Sequence, residues 1–143
     1  NADITNYPRE EKLRLTEHAE RRTIFAAARM GHCCSETCLY CLWYACPECA
    51  RAIIDCGIRR VCGHRALLNM TPPRWAASVS DGLEMLHRSG IVTEWYDGPL
   101  GVKKPIRFDG KLWNPSTTEG RHIEQGSMYD GHDPQHLREC CDS

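Results

Sequence analysis

The chain has 143 residues, room for one compact domain with its own core and too few for two of ordinary size. Eighteen basic against nineteen acidic residues leave a net charge of −1, which excludes a general electrostatic grip on nucleic acid or on an anionic membrane. With 41% hydrophobic and 26% charged residues the composition is that of globular material, and the longest apolar runs fall far short of the ~20 residues a membrane-crossing helix needs. Ten cysteines are the anomaly, about 7% of the chain and just under the density of small disulfide scaffolds. The first residue is Asn1 and no basic-then-apolar leader follows it, so the expectation is a processed chain or a piece of a longer one, without a sign of secretion. Adjacent cysteine pairs and a Cys-x-x-Cys suit metal or thiol chemistry, so mostly reduced thiols are expected, in an intracellular compartment such as the cytoplasm or an organelle matrix.

An irregular lead-in runs to Pro8. From Arg9 one helical pattern continues to a stop at Gly31, with Leu13, Leu15, Ala19, Thr23, Ala26 and Ala27 on a partly apolar face. Residues 32–38 read as a polar, cysteine-rich loop. Leu39 to Tyr44, apolar on both faces and rich in aromatics, predicts a strand in the middle of a sheet. Helical spacing returns from Ala45 to Asp55, with Pro47 where a first-turn proline is tolerated, and Gly57 ends it. A short strand from Ile58 to Cys62, a loop over residues 64–73, a helix from about Arg74 to Ser89 and a strand from Ile91 to Tyr96 follow. Trp75, Val79, Leu83 and Leu86 make the stripe of that last helix. The alternation of helix and strand implies parallel strands and an α/β layered domain over residues 1–99. Residues 100–143, rich in Gly, Pro, Asp and His, read as an extended tail anchored by Ile106, Phe108, Leu112 and Trp113 and packed on something, another chain included.

One constellation carries chemistry. His18-Ala19-Glu20 lies on the first predicted helix, and Cys46-Pro47-Glu48-Cys49 opens the second, with one strand between them. One imidazole and two thiolates are three zinc ligands, and three leave the fourth tetrahedral position open, the arrangement of a catalytic rather than a structural site. A helix N-terminus stabilises thiolate, and two thiolates cancel the charge of the ion. Glu20, two residues beyond His18, is poorly placed as a fourth ligand but reaches a zinc-held water from the side, as a proton shuttle must. Each residue alone has an ordinary reading: a surface histidine, a solvated carboxylate, a redox or structural thiol pair. In this order and on these elements they form the signature of zinc deaminases.

The segments HAERRTIFAAARMG, LYCLWYACPECARAIIDCGIRRV and PRWAASVSDGLEMLHRSGI resemble the zinc-dependent deoxycytidylate (dCMP) deaminase family of the cytidine-deaminase-like fold, over roughly residues 8–99. The resemblance implies a three-layer α/β domain with a mostly parallel central sheet. It implies one Zn2+ per chain on His18, Cys46 and Cys49, and Ala19 and Ala45 at the substrate. It also implies a reaction: activated water attacks C4 of a cytosine nucleotide, Glu20 carries the proton to N3, and ammonia leaves a uracil nucleotide. Family members generally assemble, so a homo-oligomer or a place in a larger complex is the expectation.

The chain departs from the family pattern in four places. Ala45 stands where a proline usually stiffens the approach to the first zinc cysteine, and Arg22 where asparagine is common. The domain is expected to begin at the HAE helix, without the family's leading helix and β-hairpin, which would leave the central strand with an open edge. The tail has no counterpart. These departures keep a second reading open, a zinc-stabilised deaminase-fold subunit with a structural role in a larger assembly. Of the remaining residues, Cys41, Cys56 and Cys62 read as small core side chains. His32, Cys33, Cys34 and Cys38 are a loosely spaced candidate for a second metal site, and His132, His136 and Cys140 a weaker one, with Cys141 beside it. Arg51, Arg59 and Arg60 are either phosphate contacts or solvated charges.

Overall fold

The computed structural model describes residues 7–102, 104–109 and 111–116. Two helices, α1 (Arg9–Leu15) and α2 (Ala19–Arg29), lead into β1 (Cys38–Tyr40). Then come α3 (Pro47–Asp55), β2 (Arg60–His64), α4 (Arg65–Asn69), α5 (Pro73–Arg88) and β3 (Val92–Tyr96). The hairpin β4 (Ile106–Phe108) and β5 (Lys111–Trp113) closes the described chain. Strands β1, β2 and β3 form one parallel sheet in that order, with Leu39 opposite Val61 and Val61 opposite Thr93. The α/β class with a parallel sheet is therefore as the residue pattern predicts. No helix among the described residues is long and apolar enough to cross a membrane.

One core serves α2, α3 and α5. Ile24 of α2, Cys49, Ala50 and Ile53 of α3, and Val79 and Leu86 of α5 meet Leu39 of β1 and Val61 of β2. Ile53, Ala50 and Cys49 are spaced as one stripe of a helix, which turns that stripe onto the sheet and leaves Glu48 and Arg51 to water.

Four expectations need correction. The single helix from Arg9 to Gly31 is two, because Thr16 and His18 are extended between them. The side chain of Glu17 holds that turn by accepting the His18 backbone N–H at 3.1 Å. Leu13 and Leu15, counted on the apolar face, are exposed and give α1 no stripe to bury. The strand from Leu39 to Tyr44 ends at Tyr40, and the last ladder bond runs from the Cys41 N–H to the Cys62 carbonyl at 2.9 Å. The loop over residues 64–73 contains α4, whose N-cap His64 accepts the Ala66 N–H on its ring nitrogen. The stretch after residue 100, read as extended, contains the β4–β5 hairpin, and its Trp113 is buried edge-on against His64.

Two close approaches place the segment between β1 and α3. The Tyr44 ring lies on the backbone of Gly63, where any Cβ would collide with it, and stacks on Trp95 at 3.9 Å between centroids. Its hydroxyl donates to the Glu94 carbonyl at 2.8 Å. Gly82 of α5 faces the Ala45 carbonyl so closely that a Cβ would enter it. Gly82→Ala gains up to about 1 kcal/mol of helix propensity. It loses more by pushing backbone against backbone, so a net destabilisation of about 2 kcal/mol is expected in urea unfolding. A stabilised variant would show that α5 does not carry this contact.

Candidate metal centre

Two helix starts meet at the carboxyl end of the sheet. His18 is the N-cap of α2, extended at φ −66° and ψ 146°, and Cys46 is the N-cap of α3, extended at φ −70° and ψ 169°. Their carbonyls accept the first helical bonds, from Arg22 at 2.9 Å and from Ala50 at 2.8 Å. Cys49 sits one turn into α3. His18 is thus outside the helix on which the sequence reading placed it, and the N-cap geometry frees its ring to swing toward α3.

The ligand atoms converge. His18 Nδ1 lies 3.4 Å from Cys46 Sγ and 3.3 Å from Cys49 Sγ, and all three atoms fall within 4.8 Å of one another. A tetrahedral zinc ion with ordinary Zn–N and Zn–S bonds puts its nitrogen and sulfur ligands about 3.6 Å apart. The set therefore fits zinc in both donor chemistry and spacing. Cys49 is buried, Cys46 half-buried and His18 exposed. Glu20 Oε2 stands 3.8 Å from Cys49 Sγ, beside the ligand set.

The electrostatics divide the two thiols. The Cys49 side chain and the N–H groups of Cys49 and Glu48 favour a thiolate at Cys46, and His18 adds to them, against burial; the thiol is lowered to about 5. Cys49 moves up, first because Cys46 holds its proton and then because of burial and the nearby Glu20. The backbone N–H of Arg21 works against that rise. The pair shares one proton at neutral pH. Burial raises the Glu20 carboxyl above its ordinary value, opposed by its own backbone N–H and by His18.

The wall behind the ligands is the segment from Cys41 to Ala45. Cys41 donates to the Trp43 carbonyl at 2.7 Å and is pushed up to about 12 by burial, which keeps it a thiol packed against the core. Trp43 donates from its indole to Thr71 at 2.9 Å and meets Phe108 edge-on at 5.2 Å. Ala45 is fully buried, and Ala19 is exposed in the first turn of α2. Arg22 is exposed on α2. Arg59 pairs with Glu36 at 3.0 Å and Arg60 with Glu94 at 3.4 Å, both at the amino end of the sheet, away from the helix starts; Arg51 is exposed. His32, Cys33, Cys34 and Cys38 are not gathered into a ligand group among the described residues. Cys62 is buried and Cys56 half-buried, and burial raises both thiols. His132, His136, Cys140 and Cys141 lie outside the described residues. The sequence reading missed the supports, Tyr44 and Gly82. Gly82 carried a signal: it sits between Val79 and Leu86 on the buried stripe of α5, where a helix-interior glycine marks close approach.

Zinc must displace protons, so its affinity falls with pH. Above about pH 5 Cys46 is already ionised and only the Cys49 proton has to leave the pair. The thiols then contribute a loss of about tenfold in affinity per unit of acidification, steepening to about a hundredfold below that point. Competition with a chromophoric chelator across pH measures the slope. A slope that stays flat on acidification would show that the thiols are not ligands.

Residues 3–64 match the family described as the cytidine and deoxycytidylate deaminase zinc-binding region. The match runs from the lead-in to the end of β2 and takes in His18, Glu20, Cys46 and Cys49. No curated protein matches the chain. Family match and ligand geometry fall on the same residues: residues 3–64 are similar to that zinc-binding region, and His18, Cys46 and Cys49 lie within the matched stretch.

Proposed function

We propose that the chain hydrolyses the exocyclic amine of a cytosine nucleotide, dCMP or a close analogue, to give the uracil nucleotide and ammonia. The observation that carries this reading is Glu20, a carboxylate held beside the ligand set but outside it. A zinc site that only braces the fold has no use for such a group.

His18, Cys46 and Cys49 hold the ion, and when bound it supplies a Lewis acid that lets water ionise near neutral pH. The remaining chemistry belongs to Glu20. Its carboxylate accepts a proton from the attacking water and passes it to N3 of the cytosine. It then takes the remaining proton from the hydroxyl on C4 and delivers it to the amine, so that the C–N bond breaks, ammonia departs and the C4 carbonyl forms. Burial raises its carboxyl. A raised carboxyl holds a proton between the two transfers more readily than a solvent-exposed one, which suits a shuttle better than a permanent anion. Ala19 and Ala45, each next to a ligand, are the backbone positions nearest the substrate in this reading.

Glu20→Gln keeps the shape and removes the proton acceptor. Ammonia release from dCMP by the zinc-loaded chain is expected to fall by about 10^2 to 10^4 in this variant, while metal analysis still finds the zinc of the parent. Turnover that survives the change would remove Glu20 from the mechanism. A zinc-loaded parent inert toward every cytosine nucleotide would favour a structural subunit of a larger assembly instead.

A further inference from the structure

The two helix starts that carry the ligands are joined by one side chain that no ligand set requires. Arg21 follows Glu20 on α2, and its guanidinium reaches Glu48 of α3, between the two ligand cysteines, with Nη1 3.4 Å from Oε2. The other guanidinium nitrogen lies 3.3 Å from Glu17, one turn back on α2. One turn forward, the ring of Phe25 lies 5.5 Å beneath the guanidinium carbon. A planar fork held at both nitrogens and stacked on a ring has few other orientations, which a lysine at the same place would keep. Its backbone acts on the site as well. Arg21 is the third residue of α2, so its N–H has no partner within the helix, and it points to the Cys49 sulfur.

We propose that Arg21 is a positioning residue that holds the start of α2, with His18, against the start of α3, with Cys46 and Cys49, and so sets how long the site keeps its zinc. The proposal rests on the zinc reading of those three residues. Arg21 and Glu48 also line, with Leu13, Arg14 and His18, a polar cleft of about 390 Å3 on the outer flank of His18. The contribution of Arg21 is local. The side chains of Arg21 and Glu48 are 30% and 64% exposed, and pairs so open add little to global stability. The effect is read at the joint between two helices, where a small displacement changes ligand distances, and residues behind metal ligands act on affinity in this way.

The test is the rate at which the zinc-loaded chain surrenders metal to excess chromophoric chelator. A parent that takes up no zinc would fail the zinc reading itself, before the bridge is in question. Arg21→Met keeps the apolar stem over Phe25 and removes both ion pairs. Glu48→Gln removes only the pair across the helices. Both are expected to lose zinc about tenfold faster than the parent, with the thermal midpoint of the metal-free chain unchanged. Arg21→Lys, a point charge in reach of Glu48, recovers part of the difference. Glu17→Gln removes only the pair within α2 and keeps an acceptor for the His18 N–H, so its zinc loss stays within about twofold of the parent. Parent-like rates in both Arg21→Met and Glu48→Gln would overturn the proposal. So would an equal acceleration in Glu17→Gln, which would mean that Arg21 merely stiffens its own helix.

Discussion

Two helices begin at one point, and the site follows from that. Each N-terminus brings orphan backbone N–H groups and a positive end of the helix dipole to the same small volume. Such a place favours anions. Cys46 sits in it as an N-cap and becomes a thiolate well below the ordinary thiol range. A bare divalent cation would be opposed there by both dipoles. Two thiolates reverse the balance, because their charge offsets that of the ion and the N–H groups then stabilise the sulfurs. The choice of two cysteines and one neutral-capable imidazole, rather than three histidines, is what these helix ends demand.

The same constraint decides what Glu20 can do. As the second residue of α2 it lies in the favourable field of the helix start, yet burial raises its carboxyl, so desolvation outweighs the dipole. A carboxylate that joined the ligand set would add a further negative charge next to two thiolates. Standing 3.8 Å from the Cys49 sulfur, it is close enough to feel that charge. The raised carboxyl thus comes first from burial beside the ligand set, with the neighbouring Cys46 adding to it.

Much of this was legible in the chain itself. The ligands, the order of helices and strands and the parallel sheet are local patterns, and local patterns survive folding. The break at Thr16 to His18 was not legible, because the apolar spacing of Leu13 and Leu15 continues into α2 although both side chains face water. A period reports which residues could share a face, not whether anything packs on it. The early end of β1 was hidden in the same way. Six apolar residues from Leu39 to Tyr44 fit a buried strand, but the Tyr44 ring belongs over Gly63, and only the bare backbone of that distant glycine makes room for it. The β4–β5 hairpin depends on contacts with His64 and Trp43 made across the fold. Nothing within residues 106–113 announces those partners.

The substitution of Ala45 for the proline usual before the first zinc cysteine then has a physical account. A proline at that point restricts the chain by its own ring. Here the restriction comes from outside. Ala45 is fully buried, its carbonyl is pressed on Gly82 of α5, and Tyr44 before it is fastened by stacking and by its bond to the Glu94 carbonyl. Packing from α5 and β3 holds the approach to Cys46, so the torsional restraint of proline is not needed there. The arrangement also moves the burden of precision. In a chain with the proline, the approach to α3 is stiff by itself, whereas here it is as stiff as the contact between α5 and the sheet. The buried stripe of α5, far from any ligand in sequence, thus supports the approach to Cys46 through the contact of Gly82 with Ala45.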